Sequence, residues 1–342
     1  MKVFGSSRVE NTIQEIAFAS EVIYIPASKG NPGGLYDSNL APISQAINHR
    51  GKTARLSQPI RDKLNVDNLP IIESQLPYFF LGEITPHFGH FLVESTARLW
   101  PLLHLLPGFS ANYLFCGLVA PNWLFKKSYI QTIYNCFSLN LDNVVSYPEP
   151  CRLKNVFIAP PAFEIRRQGH HSFRQSLQFV GTSLAGELNA INNTNLTPLY
   201  LSKSKLDRGL SGITNETDIE KSLQKKGVDI WHPETVDLQT QIRELTRRKY
   251  IIGSVGSAFH SLLLCPSEKI VSGVFLGEQI NSNYIIIDKL CQNKGTYISS
   301  AEAGIMLSKD SKLKASSNFG RNFVASDPDK VAGMLLDNLK NA

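Results

Sequence analysis

From residue 199 onward one rhythm constrains the fold more than anything else in the chain. Short apolar runs alternate with amphipathic stretches of roughly ten to fifteen residues. The runs 199–202, 228–231, 250–252 and 270–275 read as strands. Between them, 217–226, 238–247 and 258–264 read as helices. The first of these helices carries Thr217 and Glu220 in the order of a capping box, and the last is stopped by Pro266. Strands joined in this way return in parallel through right-handed crossovers. A parallel α/β domain is therefore expected over 196–325. A final helix, 328–339, follows Ser326 as N-cap and sets Val331, Leu335 and Leu339 on one face. The segment 326–342 is expected to pack that face back on the N-terminal domain.

The N-terminal part, 1–187, is less regular. Apolar runs at 22–26, 69–72 and 77–81 suggest strands, and Asn31-Pro-Gly-Gly34 is a turn cluster. A helix is expected over 87–106, strands at 113–116, 144–147 and 155–159, and a helical stretch near 124–137. Residues 188–198, rich in Asn and Thr, read as the linker. A chain of 342 residues is long enough for two such domains. Its net charge of +6, from 35 basic and 29 acidic side chains, is spread along the sequence without a basic run. That suits an anionic substrate, or peripheral contact with an acidic membrane, and not a nucleic-acid partner. No apolar stretch is long enough to cross a bilayer, and Lys2, Arg8, Glu10, Glu15 and Glu21 interrupt the start, so a cytoplasmic protein is expected. The five cysteines are widely spaced and form no C-x-x-C pair, which reads as reduced core thiols.

Two constellations can carry chemistry. On an α-helix, His90, Glu94 and Arg98 recur every four residues and share a stripe of roughly 80°. A His–Glu pair at this spacing can hold an imidazole in one tautomer, as general-base work requires. His87 sits near the helix start. The same residues could instead form a structural ion pair, or His87, His90 and Glu94 could hold a metal, although their order is not that of a zinc motif.

The second constellation is a strand running into Gly253-Ser-Val-Gly-Ser257 and then a helix. Glycines admit a ligand close to the backbone, and the helix start offers N–H groups to an anion. A diphosphate suits that site; a purely structural turn is the alternative. The 199–202 strand ends in Ser202, Lys203, Lys205 and Arg208, at the sheet edge where α/β proteins bind ligands. Lys203 and Arg208 could neutralise a leaving phosphate.

Together these segments resemble glycosyltransferase family 61. The family's Asn-Phe-Gly-His-Phe with a following acid looks like His87-Phe-Gly-His-Phe91 with Glu94. Its Tyr-Ile-Ser-Arg strand, later Arg and Asn-Glu look like Tyr200-Leu-Ser-Lys203, Arg208 and Asn215-Glu216. Its Leu-x-x-Gln-Ile helix and Gly-x-His-Gly-Ala-Gly-Leu turn look like Leu238–Ile242 and Gly253–Phe259. The resemblance implies a GT-B-like architecture of two Rossmann-like domains facing across a cleft. It also implies inverting, metal-independent transfer from a nucleotide-sugar (a UDP-sugar) to a saccharide or lipid-linked saccharide, in bacterial capsule or lipopolysaccharide assembly.

On that reading His90 is the base, Glu94 orients it, and Arg98 orients Glu94 or touches the acceptor, with His87 beside them. Ser202, Lys203, Arg208, Asn215, Glu216, Gly253, Ser254, Gly256, Ser257 and His260 bind the donor, and no cofactor is needed. The sequence departs from the pattern at His87, Lys203 and Val255, with His260 and Ser261 where Thr-Asn is usual. The job of the missing turn histidine is then either dispensable here or taken over by His260. Polysaccharide pyruvyl transfer and a catalytically silent sugar-nucleotide-binding subunit are the rival readings, with a metal-dependent hydrolase behind them.

Overall fold

The structure is a computed structural model and describes residues 1–12, 15–55, 64–104, 108–186, 195–206, 211–308 and 321–340. The chain divides into two compact units, Ser7–Val180 and Met1–Ser6 with Gly181–Ala342. The division falls within the helix His171–Ala185, ahead of the stretch read as linker. Arg208, part of that stretch and the end of the 87–106 helix lie outside the described residues.

The Ser7–Val180 unit is built on a mixed sheet. Its strands run in the order Val144–Val145, Asn112–Cys116, Tyr78–Glu83, Cys151–Ile158, Ala17–Ile25 and Gly34–Tyr36. The first four are parallel, and the last two join antiparallel. The expected plain Rossmann-like sheet is corrected here, because the two N-terminal strands close one side as an antiparallel pair. Tyr78–Glu83 lies between two parallel neighbours and is buried from Tyr78 to Gly82, as a central strand covered on both faces must be. Tyr24, Phe80, Leu114, Leu153 and Val156 form its core.

The expected helix over 87–106 is broken. Phe88–His90 makes one α turn, Phe91–Ser95 widens into a π turn, and Trp100–His104 starts a separate helix. Pro101 accounts for the break, since it has no N–H to give the Ala97 carbonyl one turn back. That carbonyl accepts from Ala162 N instead, at 2.8 Å.

The other unit carries a five-stranded, wholly parallel sheet in the order Asp229–Trp231, Leu199–Leu201, Tyr250–Ser254, Ile270–Phe275, Lys294–Ser299. Counted along the chain this is 2-1-3-4-5, a doubly wound order with its switch point between the first and third strands. Two small sheets add to it. Lys2–Phe4 lies parallel to Gln279–Asn281, so the first residues of the chain fold with this unit. A small sheet joins Ser211–Ile213, Arg321–Ala325 and Ile305–Leu307.

The Glu216–Lys225 helix has Asn215, not Thr217, as its N-cap, and no side chain caps it. The expected capping box is absent because the helix begins two residues early, which puts Thr217 inside its first turn and Glu220 beyond the third position. The 257–264 helix is 3-10 in character. The C-terminal helix Pro328–Lys340 corrects a further expectation. Its buried Val331, Ala332 and Leu335 pack with Tyr200, Ile219, Leu223 and Val274 in the core of its own unit, so the apolar stripe is used there.

Candidate functional site

In the Ser7–Val180 unit the central strand Tyr78–Glu83 ends and the chain turns through Thr85-Pro-His87 into the Phe88–His90 turn. His87 and His90 therefore stand at the carboxyl edge of parallel strands, where α/β sheets place their ligands. The segment is fastened from three directions. Thr85 N donates to Ser95 Oγ at 2.9 Å, Tyr129 Oη donates to the Pro86 carbonyl, and the Tyr129 ring packs edge-on against Phe88 and Phe91.

His90 Nδ1 lies 2.6 Å from Glu94 Oε2. Arg50 grips the same carboxylate, Nε to Oε1 at 2.6 Å and Nη2 to Oε2 at 2.7 Å. Burial pushes the Glu94 carboxyl up, but the hydrogen bonds from His90 and Arg50 outweigh it and hold the group at about 2. An ionised carboxylate only accepts, so Nδ1 of His90 donates to it and Nε2 is the ring nitrogen left to face a reactant. The side chain of His90 is 37% exposed. His87 stands beside it, ring centroids 5.4 Å apart; burial and then the neighbouring imidazole pull its basicity down.

Arg98 does not join this cluster. The π turn rotates it off the His90–Glu94 stripe, and it is 1% exposed. Its guanidinium donates to the carbonyls of Gln45, Ala46, Ile47 and Ala159 and to Asn48 Oδ1, and it stacks 5.3 Å from the Phe80 ring. Burial brings it down to about 9. Gly82, at φ +83°, leaves room for it; a Cβ there would stand 2.9 Å from Arg98 Nε. Arg98 thus pins the backbone that leads into Arg50, and its expected contact with Glu94 or an acceptor is corrected to a structural role.

Sequence reading missed Arg50, His49 and Glu164. His49 and Arg50 are neighbours on the Asn48–Arg50 strand of a hairpin with Thr53–Arg55. While Arg50 reaches Glu94, His49 Nδ1 meets the buried Glu164 at 2.6 Å, and Arg167 pairs with the other oxygen at 3.0 Å. Two His–Glu dyads thus sit side by side, and Asn48, His49, Glu94 and Glu164 line one small hollow. Alternation along a strand was the available signal, but the run is too short and polar to show it.

In the other unit, Ser202 and Lys203 follow the first strand and Gly253–Gly256 end the third, so the topological switch point brings them together. Lys203 Nζ donates to the Val255 carbonyl at 2.8 Å and lies 3.4 Å from Ser254 Oγ. Burial lowers its pKa, and Glu216 and Glu234 act against that. Gly253 lets two strands approach, since a Cβ would lie 2.8 Å from the Leu201 carbonyl oxygen. Gly256 leaves space for the lysine, since a Cβ would lie 2.6 Å from its Cε and Nζ. Ser257 opens the following helix, which no side chain caps.

Ser202 Oγ donates to Glu220 Oε1 at 2.5 Å, and His232 Nε2 lies 3.3 Å from the same oxygen and 3.1 Å from Ser204 Oγ. Glu216 is buried and accepts from Tyr200 Oη at 2.9 Å; burial raises its pKa and Lys203 opposes the rise. Asn215 clamps Ala325 through two hydrogen bonds, 3.0 and 2.9 Å. His260 is buried, with its ring 5.4 Å from that of Tyr284. Among the described residues no group of three or more His, Cys, Asp or Glu side chains gathers as a metal site would. No described helix is long and apolar enough to cross a membrane.

A family model described as Glycosyltransferase 61 matches residues 88–272, from the His90 turn through the switch-point loops. No curated protein matches the chain.

Proposed function

Because the chain belongs to glycosyltransferase family 61, and so moves a sugar from a donor to an acceptor, we propose that it does so by direct displacement with inversion and without a bound metal. The observation that carries this reading is the Arg50–Glu94–His90 relay, in which the gripped carboxylate engages Nδ1 and so turns Nε2 toward the part of a base. His90 removes the acceptor hydroxyl proton as that oxygen bonds to the anomeric carbon. The bond from that carbon to the nucleotide diphosphate breaks, and the leaving oxygen keeps the electron pair. Lys203 and the backbone at Ser254–Ser257 stabilise the charge that develops there.

On this reading residues 1–187 serve the acceptor, and 196–325 hold a nucleotide-sugar, a UDP-sugar in the first instance, in a GT-B-like division of labour. Ser202, Gly253 and Gly256 shape the diphosphate site, and Arg208 is the second positive charge proposed for it. The acceptor is a saccharide or lipid-linked saccharide of bacterial capsule or lipopolysaccharide assembly, met on the cytoplasmic side of the membrane.

A thermal-shift panel of UDP, GDP, CMP and their common sugars, with and without EDTA, tests the donor side. A ligand at 100 times its dissociation constant stabilises by about 2.7 kcal/mol. One nucleotide raising Tm equally in EDTA supports the reading. Stabilisation by phosphoenolpyruvate and by no nucleotide would overturn it in favour of pyruvyl transfer.

A further inference from the structure

The loop beyond the Asn112–Cys116 strand leaves the same sheet edge as the His87–His90 turn, and its surface is unusual. Leu118 is 70% exposed. The short helix Pro121–Leu124 sends Leu124 and the following Phe125 inward, but leaves Trp123 41% exposed. Lys126 is exposed beside it, and Lys127 Nζ lies 5.1 Å from the Trp123 ring centroid. Between Glu94 and Asp142 the sequence contains no acidic residue, so the loop itself carries both lysine charges without an acid of its own. The next turn contains Tyr129, whose hydroxyl holds the Pro86 carbonyl and whose ring packs on Phe88 and Phe91.

We propose that Leu118, Trp123, Lys126 and Lys127 form a foot that docks this unit on a bilayer surface bearing anionic headgroups. An indole and an aliphatic side chain held outward beside ammonium groups suit the boundary where acyl chains meet headgroups. Lys127 can cover the indole with its stem while its charge stays among the phosphates. A soluble polyanion would satisfy the lysines and leave Leu118 and Trp123 in water, so the apolar pair favours lipid. Through Tyr129 the foot is tied to the His87–His90 segment, and docking sets that segment close to the membrane. The consequence for a lipid-linked acceptor rests on the proposed sugar transfer, but the docking does not.

The full-length protein is sedimented with vesicles of phosphatidylcholine alone and of phosphatidylcholine mixed with phosphatidylglycerol. Binding to the mixed vesicles is expected, with quenching of tryptophan emission by brominated lipid that Trp123→Phe abolishes. Each lysine near such a surface contributes about fivefold. Lys126→Gln with Lys127→Gln should therefore weaken binding by about 25-fold, and raised salt should act in the same direction. Leu118→Ser with Trp123→Ser should release the protein at an unchanged Tm, since both side chains are exposed. Equal binding by wild type and both double variants would overturn the proposal, as would failure to sediment with either vesicle. Binding to dextran sulfate that survives loss of Leu118 and Trp123, or a doubled solution mass that Leu118→Ser abolishes, would assign the patch to a polyanion or a second copy instead. Vesicle binding is read without turnover, so its failure leaves sugar transfer untouched.

Discussion

Arg50 holds both carboxylate oxygens of Glu94, at 2.6 and 2.7 Å, across 44 residues of sequence. The grip has a pH signature. Glu94 sits at about 2 in the folded protein, below the ordinary 4.5, so the stability it contributes is present above about 4.5 and is lost as pH falls through about 2. The shift corresponds to roughly 3 kcal/mol, shared between His90 and Arg50. Arg50→Ala should therefore unfold at lower urea than wild type at pH 7, with the gap closing below about pH 4. A gap that does not change with pH would mean that Arg50 acts through packing alone.

The same relay predicts how activity fails. His90→Ala should give up its share of that stability yet stay folded at assay temperature, and lose about 10²–10⁴-fold in kcat. Glu94→Gln keeps the shape but offers an amide where the carboxylate fixed the tautomer, so kcat should fall with little change in donor KM. Wild-type turnover by a folded His90→Ala protein would remove the base assignment.

The two switch-point glycines separate fold from ligand binding. A Cβ at Gly253 would strike the Leu201 backbone oxygen, which cannot move without opening the sheet. Gly253→Ala should therefore lower Tm by several degrees, for a cost of roughly 1–3 kcal/mol. A Cβ at Gly256 would strike only the flexible end of Lys203. Gly256→Ala should leave Tm almost unchanged and raise the Kd for the nucleotide, read by calorimetry, because the ammonium group must leave the Val255 carbonyl. Equal losses of Tm in the two variants would contradict this division.

What the sequence revealed follows from the range of the forces involved. The strand at Ile270–Phe275 and the helix at Leu238–Arg247 stand where local periodicity puts them, because burial on a defined face writes that period. The helix Ser282–Cys291 escaped notice because Ile285-Ile-Ile287 is a β-branched run and much of the helix is buried, leaving no clean polar face. His90 and Glu94 were legible as neighbours one turn apart. Arg50 was not, since it reaches them through a polar hairpin whose pairing depends on the fold. Arg98 misled for a local reason: the stripe assumed a regular α-helix, and Pro101 was the signal that it would not continue.

Arg98 should behave as a structural residue. It is buried, donates to four backbone carbonyls and carries its charge beneath the site segment. Arg98→Met keeps the volume but orphans those acceptors, each at roughly 1–3 kcal/mol if it stays buried. The expected result is a loss of at least about 3 kcal/mol in urea unfolding, with activity lost in proportion to the folded fraction. A stable Arg98→Met protein with low kcat would return Arg98 to the chemistry.

A second pH signature, of opposite sign, lies in the other unit. Asp288 is buried beneath its sheet, accepting from Tyr297 Oη at 2.7 Å and from Asn293 Nδ2 at 3.3 Å. Burial pushes its carboxyl up to about 7, and those two hydrogen bonds only partly oppose the rise. A carboxyl raised on folding favours the folded state most below its unfolded pKa near 3.8, and that advantage is lost as pH rises through about 7. Asp288→Asn removes the titration while its carbonyl oxygen can still accept from Tyr297. The variant should therefore gain on wild type as pH is raised from 4 to 8, by up to roughly 4 kcal/mol. Urea unfolding at the two pH values measures the difference, and a variant that tracks wild type at both would show that the buried carboxyl is charged at no cost.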